Sequence, residues 1–138
     1  MESTIWQEPL KRHSVLYVRQ GWWVVPLWSS TTEGCGCGDP LCSKPGMHPM
    51  QSIVSSARNS EDEVLSMVSG YPPPNIGIVT GTSSGIVAIA VDCSNEKAAR
   101  SFHLLQSVFG LREATAEITS QRTRRLIYRL PQHYSHLP

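Results

Sequence analysis

No apolar run in this 138-residue chain approaches the roughly 20 residues that a membrane-spanning helix requires. The first residues, MESTIWQEPLKRH, lack the charged-then-apolar order of a secretory signal, so a cytoplasmic protein with no membrane partner is expected. Excess charge of one sign is also missing: 12 Lys and Arg against 11 Asp and Glu leave a formal net charge of +1. Such a balance says nothing about partners for the chain as a whole, so any nucleic-acid-binding surface must come from local clustering. Only 2 phenylalanines are available for a core, whereas 10 prolines and 10 glycines break the chain into many turns. Internal repeats are absent. The composition describes one globular domain, 1–138, with a modest core and long loops.

What is present is concentrated in 75–92, NIGIVTGTSSGIVAIAVD. Residues 76–79 and 86–91 are β-branched apolar runs joined by the turn formers of 80–85, which predicts a hairpin. The second run is apolar on both faces and is expected to be a central strand, buried on both sides. It stops at Asp92, a carboxylate placed where a rigid strand meets a polar loop. That position suits either chemistry or the start of the next helix.

Residues 9–20 read as a first helix with Leu10, Leu16 and Tyr17 inward and Gly21 as its stop. WWVVPL, 22–27, reads as a strand whose Pro26 belongs at an edge or an end. Residues 28–56 show no sustained period, and a loop that long is functional or held by something other than a core. Ser60-Glu61-Asp62-Glu63 has capping-box spacing and opens a helix over 61–69, after which YPPP, 71–74, leads stiffly onward. Ser94 or Asn95 caps a helix to about 109, with Ala98, Phe102, Leu105 and Phe109 on one face and Gly110 as its end. Residues 113–119 and 125–130 read as a further strand pair, with Arg122, Arg124, Arg125 and Arg129 crowded on or beside it, and the tail 132–138 reads as frayed. Alternation puts Arg125 and Ile127 on one side, and Arg124, Leu126 and Tyr128 on the other. The order βαββαββ, with an insertion at 28–56, predicts an α+β fold, a mixed β-sheet with flanking helices.

The insertion contains CGCGDPLCSKPGMHP. Cys35, Cys37, Cys42 and His48 offer three thiolates and an imidazole, a closed tetrahedral set for a structural zinc ion where thiols stay reduced. Glycines 34, 36 and 38 let the backbone wrap an ion. Asp39 is a lower-ranked substitute ligand, and free surface cysteines are the alternative. Cys93 reads as a small buried residue.

GWWVVPL, the Cys-rich insertion and NIGIVTGTSSGIVAIAVD resemble, in order and spacing, the bifunctional DNA primase/polymerase N-terminal (prim-pol) domains of the archaeo-eukaryotic primase superfamily. The resemblance spans 10–130. It implies a primase-like fold with an RRM-like core and a zinc-knuckle insertion, acidic residues ending the 86–92 strand that hold Mg2+ or Mn2+, and a later-strand histidine that contacts nucleotide phosphates. On this resemblance Asp92 is the catalytic candidate. Thr80 and Gly81 of the threonine-glycine turn, with Arg122, Arg124 and Arg125, are candidates for binding nucleotide or nucleic acid. The implied partners are single-stranded DNA or a primer-template, a nucleoside triphosphate, and a helicase or other replication protein, in the replication system of a mobile element.

The sequence also departs from that pattern. Where the family's strand ends Asp-x-Asp or Asp-x-Glu, this chain has Ala90-Val91-Asp92. Where the family has Gly-Gly and then histidine, this chain has Arg122, Thr123 and then Arg125, and Gly-Lys-His-Pro becomes Gly46-Met47-His48-Pro49. The family's third acidic ligand is expected beyond the last strand read here. Two-metal phosphoryl transfer needs several carboxylates. Three readings stay open: a degenerate prim-pol module that binds nucleic acid or nucleotide with impaired or no catalysis, an active primase/polymerase using Asp92, and a zinc-stabilised structural or docking domain.

Overall fold

The computed structural model describes residues 4–70, 72–111 and 113–131, so Tyr71 of the YPPP stretch and the tail expected to fray lie outside the described residues. The chain forms two compact units, 1–79 and 80–138; among the described residues the first has three helices and two small sheets, the second one helix and one sheet.

In the first unit, α1 (Thr4–Arg19) stops before Gly21, whose φ of 80° suits glycine. Its inward face includes the expected Tyr17 but not Leu16. Ser14 and Val18 are buried and Val15 and Tyr17 pack beside them, whereas Leu16 is 44% exposed. Ser14 and Val18 are four residues apart and share a helical face, while Leu16, two residues on, points roughly the other way. β1 (Trp23–Leu27) pairs antiparallel with β4 (Asn75–Val79), placing Trp23 opposite Val79 and Leu27 opposite Asn75. Pro26 lies one residue from the strand's end, as its missing N–H requires. α3 (Glu61–Val68) buries Val64 and Val68, and Val64 joins Val18 and Val24 in one apolar cluster. The capping box is not made: Ser60 Oγ donates to Glu63 Oε2 at 2.7 Å instead of accepting from the backbone. Arg19 ties α1 to α3 through a two-pronged contact with Glu61, at 2.7 and 3.0 Å.

The 28–56 segment holds a minimal hairpin, β2 (Ser30–Thr31) with β3 (Gly34–Cys35), and one turn of helix, α2 (Ile53–Ser56). Its ends return to β1. Trp28 N–H donates to His48 O at 3.0 Å, Met50 N–H donates to Pro26 O at 3.1 Å, and Val24 and Arg58 exchange backbone hydrogen bonds of 2.7 and 2.8 Å.

The second unit is a three-stranded antiparallel sheet, ordered β5 (Ile86–Asp92), β7 (Thr123–Arg129), β6 (Ala116–Thr119), with α4 (Glu96–Phe109) packed on β5. Two expectations are corrected here. Residues 75–79 and 86–92 are not a hairpin pair, because β4 takes β1 as its partner and β5 takes β7. The turn between them closes only through a Gly81–Ile86 bridge, with Gly81 and Gly85 at φ of 91° and 62°. β5 is also an edge of its sheet, not the centre, and Val87 on it is 42% exposed. Apolar residues on both faces did not require a central position, because Val91 on one face is buried with Phe102 of α4 and Leu126 of β7. On the opposite face Ile86 is buried as well.

Asn95 caps α4 by accepting from Lys97 N–H at 2.9 Å and Ala98 N–H at 3.4 Å, and Gly110 ends the helix in the left-handed region. Of the face expected to pack, Phe102 is buried, but Leu105 is 40% and Phe109 74% exposed. The core is completed instead by Leu111 and Ala114, beyond the helix end. No described helix is long and apolar enough to cross a membrane.

Candidate functional site

Two turns build the cysteine cluster. Gly38 N–H donates to Cys35 O at 3.1 Å, and Cys42 N–H donates to Asp39 O at 3.2 Å, so the chain doubles back twice within eight residues and brings its thiols inward. The ligand atoms of Cys35, Cys37, Cys42 and His48 lie within 4.8 Å of one another. His48 Nε2 stands 3.3 Å from Cys35 Sγ and 3.4 Å from Cys42 Sγ. Ligands about 2.0–2.3 Å from a shared tetrahedral centre are about 3.5–3.8 Å apart, so this donor set fits a zinc ion with little adjustment. Asp39 is not in the cluster. Its Oδ1 accepts from Leu41 N–H at 2.9 Å and holds the second turn. The backbone amides of Cys37 and Gly46 lower the Cys35 thiol to about 6, favouring the thiolate that binds metal. The Lys44 amide lowers the Cys42 thiol, but desolvation and the neighbouring Cys35 and Cys37 outweigh it and leave that thiol raised.

Two residues that the sequence showed only as parts of motifs, with no role of their own, set this geometry. Gly46 directs its N–H at the Cys35 sulfur, while its carbonyl accepts from Asn75 Nδ2 of β4 at 3.0 Å. It does so at φ of 70°, where an added Cβ would lie 2.8 Å from Ser30 Oγ and 2.9 Å from Asn75 Nδ2. Asn75 was visible just ahead of the 76–79 strand, as the first residue of the family-like NIG stretch, with nothing local to link it to residue 46. Gly46→Ala should therefore destabilise the chain by about 1–3 kcal/mol, through left-handed strain and the clash together. A lower melting temperature, with faster metal loss to a chelator, is the expected result, and an unchanged melt would contradict this role.

The other candidates lie in the second unit. In the β5–β7 register Ala90 is opposite Arg125 and Asp92 opposite Thr123, so these four share one sheet face, with Ile118 of β6 beside Arg125. Arg124 is on the other face, as alternation predicted, and forks onto Glu117 at 2.6 and 3.0 Å. Arg122 sits at the exposed turn after β6 and its carbonyl accepts from Cys93 N–H at 2.8 Å. Asp92 is exposed, and its Oδ1 accepts from Ser94 N–H at 2.9 Å and Ser94 Oγ at 2.6 Å. These two bonds, with the Arg122 charge, hold its carboxyl below the usual range. Thr80 is exposed, and Gly81 shapes the turn into β5. Cys93, expected to be buried, is exposed, because it follows the strand's last residue and turns outward into the loop before α4.

The family model described as bifunctional DNA primase/polymerase, N-terminal, matches residues 14–137. The chain belongs to this prim-pol family. The match runs through both compact units and contains every candidate residue named above. No curated protein and no solved structure matches the chain.

The catalytic Mg2+ or Mn2+ that prim-pol membership implies does not fit the residues on this face. Ala90 offers no ligand, Arg125 is a cation, and one oxygen of Asp92 is already held by Ser94. Among the described residues, the Cys35, Cys37, Cys42 and His48 group gathers three or more metal-binding side chains, and Asp92 belongs to no such group.

Glu117, which the sequence reading did not single out, pairs with Arg124, so a phosphate at that guanidinium would compete with this carboxylate. The Arg124 guanidinium holds the Glu117 carboxyl below its ordinary value. A carboxylate depressed in the folded state stabilises the protein above the unfolded carboxylate range and loses that contribution as pH falls through its lowered value. Wild type should therefore melt above Glu117→Gln at neutral pH, with the gap closing in acid. A gap that stays constant down to low pH would show that the ion pair contributes nothing.

Proposed function

We propose that this prim-pol domain, taken as a single functional module with a primase-like core, serves DNA replication or priming by binding nucleic acid or nucleotide, with catalysis impaired or lost. The observation that carries the reading is the β5–β7 register. It puts an alanine and an arginine opposite each other at the positions where the family resemblance expects a metal-binding acid and a phosphate-contacting histidine. Membership of the family supports interaction with DNA and nucleotides in general. The exposed Arg122 and the half-buried Arg125 supply donors suited to phosphate. The Cys35, Cys37, Cys42 and His48 cluster holds zinc and orders the insertion, a structural task separate from phosphate binding.

Primer extension by the full chain, with Mg2+ or Mn2+, tests the reading. No incorporation above background is expected, together with measurable retention of single-stranded DNA or nucleoside triphosphate. Template-dependent synthesis by the unaltered chain would replace this reading with that of an active polymerase using Asp92.

A further inference from the structure

We propose that the open end of the β5–β7 sheet face binds a phosphate group directly through Arg125, without a divalent ion, and that Ala90 is the residue that makes this possible. The inference rests on the nucleic-acid or nucleotide-binding reading above and names how that same face holds its ligand. Arg125 is half-buried and makes no ion pair among the described residues, whereas Arg19, Arg58, Arg100 and Arg124 each face a glutamate. Directly across the ladder, Ala90 is exposed and carries a single methyl, so nothing from β5 covers the guanidinium. Ile127 and Ile86 on the same face are buried, which leaves the Ala90, Arg125, Asp92 and Thr123 end accessible, with the 40% exposed Ile118 beside Arg125. Arg129, opposite Ile86, is on the far side of that buried layer and does not share the patch.

The charge pattern is the reverse of a metal-bridged phosphate site. There, carboxylates hold cations that in turn hold the phosphate. Here the carboxylate across the ladder is absent, and a fixed cation stands where its own N–H groups reach a phosphate two at a time. Asp92, the one acid among the strand residues of this face, is turned to Ser94 through Oδ1, has the Arg122 charge nearby, and makes no ion pair with Arg125. Restoring an acid should therefore harm binding. Side chains directly opposite in an antiparallel pair have Cβ atoms about 4.5–5.5 Å apart, so Ala90→Asp would place a carboxylate within reach of Arg125 and occupy it.

The experiment measures binding of a labelled oligo-dT without terminal phosphate, and of a nucleoside triphosphate as competitor, to the zinc-loaded full chain. Divalent ions are removed from the buffer by resin, because a strong chelator would strip the cysteine cluster. Binding should persist without Mg2+ or Mn2+ and should not tighten when either is added at constant ionic strength. Ala90→Asp and Arg125→Gln should each weaken it about tenfold, and Arg125→Lys should recover only part, since an ammonium lacks the fork. Strong competition by the triphosphate identifies free nucleotide as the source of the phosphate, and weak competition identifies the strand backbone. Circular dichroism of each variant separates lost binding from lost folding, and the charge-conserving change Arg125→Lys keeps the test open should Ala90→Asp misfold. Binding that requires Mg2+ or Mn2+, or that Ala90→Asp strengthens, overturns the proposal and leaves the domain a metal-dependent binder. Binding of neither probe under either condition removes both the proposal and the reading beneath it.

Discussion

Purified chain should carry about one zinc ion, and His48→Ala should abolish it and lower the melting temperature by on the order of 15 °C. The size follows from how little else holds 28–56. Its regular structure is a hairpin of two-residue strands and one short turn of helix, and Leu41, Met47 and Val54 are 87%, 64% and 94% exposed. Apolar burial therefore supplies little of its folding free energy, and a ligand that binds only the folded loop supplies the rest. With free zinc about a thousandfold above the dissociation constant, that linkage is worth roughly 4 kcal/mol. Elemental analysis and paired thermal melts of wild type and variant measure it. A metal-free preparation that melts where the wild type does would reassign the four residues to an accidental cluster.

The second large effect concerns chemistry. Wild-type chain should show no nucleotide incorporation, whereas Ala90→Asp combined with Arg125→His should gain incorporation that depends on Mg2+ or Mn2+. The register makes the pair of changes a matched one. Residues 90 and 125 are directly opposed, so the new carboxylate and the new imidazole would stand side by side, with Asp92 two residues further along the same face. An ion beside a triphosphate needs anionic ligands to hold it, and a guanidinium in their midst repels it. Losing one such ligand and gaining one such repulsion is expected to depress turnover by on the order of a hundredfold to a thousandfold. A primer-extension gel comparing wild type, the double variant and the double variant with Asp92→Ala is the measurement. Activity in the wild type that Asp92→Ala removes would show that one carboxylate suffices.

Much of this arrangement was legible in the residues. Asn95, Gly110 and the alternation through Arg124 and Arg125 follow from local rules of capping, left-handed backbone and strand pleat, and the structure has them where those rules put them. The four metal-binding residues were legible because cysteine and histidine are scarce and their crowding is chemically specific. Pairing was not legible. Which strand β5 accepts depends on contacts between residues far apart in the chain, and a turn rich in glycine looks the same whether it closes a ladder or, as here, releases two strands to different partners. The partner of Arg124 was hidden for the same reason, since Glu117 reaches it across a ladder and not along a helix. Asn75 and Gly46, 29 positions apart, form a contact that no local pattern could announce.

That contact adds to the coupling between the cysteine loop and the first unit's sheet. β4 pairs with β1, the end of β1 is clasped by backbone bonds from His48 and Met50, and the Asn75 amide holds Gly46 beside the cysteines. Hydrogen exchange at β4 amides should thus report the state of the cysteine loop, and the two should open as one cooperative unit with a shared free energy. A cell that deprives the loop of its ion would then loosen the β1–β4 pairing of the first unit too.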